Sequence, residues 1–87
     1  MKLKAGFDIK SVEGVHIVVP TGDNMSFSGV FTLNETALFV WNLLKEDISE
    51  SDLVDKMSGE YDAPREVIEP DVKELIDAFK KNGFIEE

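Results

Sequence analysis

The chain has 87 residues, of which 43% are hydrophobic and eight are aromatic, enough for one small core and too apolar for disorder. It holds no cysteine and a single histidine, which excludes a disulfide, an iron–sulfur cluster, a thiolate metal site and a cysteine nucleophile. The net charge of −9 falls entirely within residues 34–87, where 15 acids face six bases; residues 1–33 hold three of each, so only the second half repels phosphate backbones and favours neutral or basic partners.

No apolar run approaches the roughly 20 residues of a membrane span, and no signal peptide is expected before the domain. The expectation is one soluble, cytoplasmic domain over 1–87, with a sheet in 1–33 and helices in 34–87.

Phe7 and Ile9 alternate with Asp8 and Lys10, the pattern of a half-buried strand. Glu13-Gly14 reads as a tight turn, and Val15, Ile17 and Val19 resume the alternation up to Pro20. The β-branched run around His16 predicts the central strand of a meander. Thr21-Gly22-Asp23-Asn24 is a turn by composition. Met25, Phe27, Gly29, Phe31 and Leu33 then recur at every second position, which predicts a third strand over roughly residues 25–32 with a bulge or close backbone approach at Gly29.

At Asn34 the hydrophobic period changes from two to about 3.6. Asn34 is a strong N-cap candidate, and Leu33 with Leu38 has the spacing of a hydrophobic staple. Ala37, Leu38, Trp41 and Leu44 mark a first helix that extends to about Lys45. Ser49 followed by Asp52 resembles a capping box, and Leu53, Val54, Met57 and Tyr61 form the stripe of a second helix ended by Asp62-Ala63-Pro64. A third helix carries Ile68, Val72, Leu75, Ile76 and Phe79 and stops at Gly83, with Phe84 placed for a Schellman contact with Phe79. Pro70 conflicts with its start, because it lacks an amide proton and crowds the carbonyl of Glu66. A distorted start is expected, with a regular helix from about Asp71 to Asn82. The fold class is therefore α+β: a small three-stranded antiparallel sheet followed by three helices, winged helix-turn-helix-like.

Little in the sequence points to catalysis. His16 has neither a cysteine nor a second histidine beside it in the sequence, and is expected to point to solvent or to the sheet's other face. Carboxylate pairs such as Asp52–Asp55 and Glu74–Asp77 are ordinary for a chain with 18 acids and fit a solvated face. There is no glycine-rich phosphate loop, no Ser-His constellation and no divalent-cation loop, so the expectation is a non-enzyme without metal or cofactor. DNA binding is disfavoured as well. The third helix sets Arg65, Lys73, Lys80 and Lys81 against Glu66, Glu69, Asp71, Glu74 and Asp77, too few positive charges to neutralise phosphates.

The run Leu33-Asn34-Glu35-Thr36-Ala37 resembles the Leu-Asn-x-Thr-Ala start of the first helix in PqqD-like proteins. The resemblance continues through Trp41-Asn42-Leu43-Leu44, Leu53 and Tyr61-Asp62. Its strongest later block, Asp71-Val72-x-x-Leu75-Ile76-x-x-Phe79-x-x-x-Gly83-Phe84-Ile85, follows the family's Asp-Val-x-x-Phe-Leu-x-x-Leu-x-x-x-Gly-Leu-Ile with apolar-for-apolar exchanges. Pro70 and Glu46-Asp47, the latter where many members have glycine, depart from it.

This resemblance implies a peptide chaperone that binds the leader of a ribosomally made precursor peptide. The chaperone presents the leader to a modifying enzyme, often a radical S-adenosylmethionine enzyme, with neither nucleic acid nor membrane as partner. The leader is expected to add as a strand along Phe27, Ser28, Gly29, Val30, Phe31 and Thr32, against a helix wall drawn from Asp71, Val72, Leu75, Ile76 and Phe79. For the apolar wall residues plain core packing is the simpler expectation, above all for Phe79 and Leu75, central on the stripe. Asp71 either meets a leader lysine or caps a helix that begins near Pro70. The alternative function is a protein-interaction or regulatory module of the same fold with another partner.

Overall fold

The computed structural model describes residues 1–21 and 31–86. Among them, five strands and three helices succeed one another: β1 (Lys2–Leu3), β2 (Phe7–Val12), β3 (Val15–Pro20), β4 (Phe31–Leu33), α1 (Glu35–Leu43), α2 (Glu50–Tyr61), α3 (Arg65–Lys81) and β5 (Ile85–Glu86). The antiparallel sheet has the order β2-β3-β4, and β1 pairs with β5 in a separate two-stranded ribbon. The expected α+β class is what the chain adopts. The expected turn over 21–24 (apart from Thr21), the earlier part of the third strand and the bulge at Gly29 lie outside the described residues.

The β2–β3 hairpin closes through Glu13 and Gly14, both at positive φ (50° and 79°), the conformation of a two-residue hairpin turn. That turn pairs Val12 with Val15 and so sets Ile9 opposite Val18 and Phe7 opposite Pro20. Directly paired residues share a face of a sheet, so inward Phe7 and Ile9 bring Val18 into the core. Val18 is 2% exposed and Val15 47%. The face expected from the sequence, Val15, Ile17 and Val19, is thus the outer one. Both faces of β3 are apolar, so the turn decides the register and alternation does not.

The helix ends follow their local chemistry. Ala37 donates its amide to the Asn34 side-chain oxygen at 2.8 Å, and Asp52 donates to Ser49 Oγ at 3.1 Å. The chain leaves α2 through Asp62 in the left-handed region. At the end of α3, Phe84 donates its amide to the Phe79 carbonyl (2.9 Å) and Gly83 to that of Lys80 (3.0 Å), with Gly83 at φ 76°. This is the Schellman ending.

The start of α3 differs from the expectation. The helix begins at Arg65 after an N-cap at Pro64 and runs unbroken through Pro70. One missing hydrogen bond is outweighed because the turn before Pro70 is held on both sides: Ile68 is buried, and the Arg65 guanidinium is ion-paired with Asp55 on α2 and Glu69 on its own helix. Asp71 therefore sits inside a helix and caps nothing.

The β1–β5 ribbon leaves no signal in the sequence, since two residues are too few to show alternation. Leu3 donates to the Leu44 carbonyl (2.8 Å) and Lys4 to that of Phe84 (2.7 Å), which ties the first residues to both ends of the helical layer. The core lies between sheet and helices and centres on aromatic rings. Phe84 packs edge-on to Phe7, Phe31 and Trp41, with centroids 4.9, 5.1 and 5.4 Å away. Trp41 and Phe79 make a further T-shaped pair at 5.6 Å.

Candidate functional site

β4 pairs with β3 through His16–Leu33, Ile17–Thr32 and Val18–Phe31 and ends the sheet. Its other edge has no partner strand among the described residues. An open edge presents unpaired amides and carbonyls and is a template for an added strand.

β4 lies alongside α3. Phe31, which opens the strand, packs against Phe79 near the end of the helix, with centroids 6.0 Å apart. Asn34, just after the strand, shares a groove with Asp71 and Glu74 nearer the middle of the helix. The start of the strand thus meets the later part of the helix, and the two elements touch through side chains.

The groove has a volume of about 380 Å³ and is lined by Asn34, Thr36, Asp71, Glu74, Leu75 and Ala78. Of the wall residues expected from the sequence, Asp71 and Leu75 line it. Val72 (0% exposed), Ile76 (2%) and Phe79 (0%) face the other way, into the core. Thr32 is exposed and Phe31 half-buried; Phe27, Ser28, Gly29 and Val30 lie outside the described residues. Glu74, Ala78, Asn34 and Thr36 were not anticipated. The signal for two of them was present: 71, 74, 75 and 78 recur at i, i+3, i+4 and i+7, a second stripe beside the buried one.

Neither Asp71 nor Glu74 has an ion-pair partner among the described residues. In the larger groove between α2 and α3, about 630 Å³, Arg65 is bound to Asp55 and Glu69.

His16 lies on the face opposite Val15, Ile17 and Val19, as expected, but that face is the inner one. It shares the inner face of β3 with Val18, at the rim, where its ring spans Ser11 Oγ (2.7 Å from Nδ1) and Glu35 Oε1 (2.9 Å from Nε2). Residues 11 and 35 come together only through the hairpin register, so no sequence spacing reveals the row. It joins β2, β3 and the first turn of α1. No described groove is lined by these three residues, and Glu35 is 80% exposed. The row reads as a brace that fixes α1 against the sheet, one residue from the groove-lining Asn34.

Residues 14–85 match the family model for coenzyme PQQ synthesis protein D (PqqD). The chain belongs to the PqqD family. It is 39% identical over 59 residues to a PqqA binding protein of Methylococcus capsulatus (strain Bath), a stretch that covers 68% of this chain and 61% of that relative's length.

Among solved structures, the PqqD-family fold is shared with TbiB1 in complex with the TbiA(beta) leader peptide. The TM-score is 0.78 at 20% identity, over 99% of this chain and 95% of that one. It is shared with lasso peptide synthetase B1 complexed with a leader peptide (TM-score 0.73, 23% identity, 95% and 93% covered). The PqqD portion of Methylobacterium extorquens PqqCD, a stand-alone recognition element for ribosomally made, modified peptides, matches at TM-score 0.74 and 19% identity (99% and 87% covered). At these identities the likeness is one of fold.

Proposed function

We propose that this chain is a recognition element that binds the leader of a ribosomally made precursor peptide by strand addition at β4 and presents it to a peptide-modifying enzyme, itself doing no chemistry. The observation that carries the reading is the outer edge of β4, which has no partner strand among the described residues, beside α3, in a PqqD-family chain whose fold recurs in two proteins solved with leader peptides bound.

In this reading residues 27–32 form the pairing edge, and Asp71 and Leu75 form the wall, with Val72 and Ile76 anchoring that wall from behind. Main-chain bonds along the edge supply sequence-tolerant affinity of about 0.5–1.5 kcal/mol each, and the wall supplies discrimination. The enzyme partner is of the radical S-adenosylmethionine class or another peptide-modifying class, and the setting is the cytoplasm. Among the described residues no helix is long and apolar enough to cross a membrane, and no polar or charged residue is buried in the core.

The test is a titration of isotopically labelled protein with synthetic PqqA, with the TbiA(beta) leader and with duplex DNA. Amide shifts from a leader, concentrated in Phe31–Leu33 and α3, are expected. Saturable DNA binding near physiological salt with no response to either peptide would overturn the reading.

A further inference from the structure

Resting on that leader-binding reading, we infer that the groove selects a leader with a basic side chain and an apolar side chain two residues apart. The basic residue sits over Asp71 and Glu74, and the apolar one over Leu75 and Ala78.

The groove face of α3 is divided into two halves along the axis: Asp71 and Glu74, one turn apart, then Leu75 and Ala78, one turn apart. The centres of the two pairs are separated by four residues, about 6 Å at the rise of an α-helix. Side chains on one face of a strand recur about every 6.6–6.8 Å. A strand added along β4 passes this face of α3, because β4 touches the helix at both ends of the stretch: Phe31 meets Phe79, and Asn34 lines the groove with Asp71, Glu74, Leu75 and Ala78. Alternate side chains of the incoming strand therefore meet the two halves of the wall in step.

The first half calls for a cation. Both carboxylates are on exposed residues, and neither is committed to an ion pair among the described residues, whereas those of Asp55 on α2 and Glu69 on α3 are held by Arg65. A leader lysine or arginine would neutralise two acids at once. The second half is an apolar seat of half-buried Leu75 and Ala78. The spacing is fixed by the helix and the strand, so it is independent of which precursor the chain serves.

The test is selection from a displayed library of random linear peptides. The target is the parent protein, the charge-reversed Asp71→Lys/Glu74→Lys protein and the neutral Asp71→Asn/Glu74→Gln protein, with folding checked by circular dichroism. Peptides selected by the parent should share a lysine or arginine and an apolar residue two positions apart. Replacing that base with alanine should weaken binding about three- to tenfold, as expected for a rim cation facing two exposed carboxylates. The charge-reversed protein should select an acid at the same position, and the neutral protein neither.

Selected peptides that shift the Phe31–Leu33 amides but carry no basic preference would refute this inference and leave strand addition standing. If no selected peptide shifts those amides, strand addition falls and this inference with it.

Discussion

Phe84 has the widest aromatic contact set of any residue in the described core: it touches rings from β2, β4, α1 and α3 while its amide closes the end of α3. It is fully buried. Truncation removes that packing and leaves a cavity that four elements cannot close together, so Phe84→Ala should cost about 3–5 kcal/mol, read from the urea midpoint. The placement of Phe84 was legible in the sequence, since Gly83 fixes the turn and the turn fixes the direction of the next residue. His16 was not. Its partners Ser11 and Glu35 are brought to it by hairpin register and by the start of α1, neither of which leaves a local pattern.

At the scale of elements, a residue's legibility depended on whether one local rule acted alone. Asn34 and Ser49 cap their helices as their residue type dictates. β3 differs from its sequence pattern because hydrophobic residues occupy both its faces, and α3 because a local penalty at Pro70 is outweighed by burial of Ile68 on one side of it and Val72 on the other. That penalty should still be measurable. Pro70 is exposed, so Pro70→Ala restores a donor to the Glu66 carbonyl without disturbing the core, and should stabilise the protein by about 1–3 kcal/mol in chemical denaturation.

The loop before α2 carries a pH signature. The Met1 ammonium donates to Asp47 at 2.8 Å and, with a smaller charge contribution from Lys2, holds the Asp47 carboxyl below its usual 3.8. A depressed folded-state pKa contributes stability that is complete above the unfolded value and is lost as pH falls through the folded one. Asp47→Asn should flatten the stability profile below about pH 4 and leave its shape unchanged above that. An acid limb as steep as the parent's would contradict the assignment.

Over the whole molecule, the proposed function divides recognition between a near-neutral sheet and acidic helices. In the proposed reading, the open strand edge reads backbone and so tolerates many sequences, and the helix beside it carries the side chains that discriminate. The open edge was legible in the sequence, because no further strand of useful length comes after the third. The groove was legible only in part. The apolar stripe of α3 announces its buried face, and Val72 and Ile76 belong there; the groove is lined by the neighbouring stripe of Asp71, Glu74, Leu75 and Ala78, whose mixed character hides it in a chain rich in acids.

Strand addition at β4 is tested most directly by amide hydrogen exchange. Successive amides of an edge strand alternate between the neighbouring strand and the open side, so within Phe31, Thr32 and Leu33 protection should alternate in the free protein. With PqqA, or the tightest display-selected peptide, bound to saturation, the fast-exchanging amides of that set should become protected. A peptide that binds to saturation and leaves those amides exchanging as fast as before would contradict strand addition at this edge.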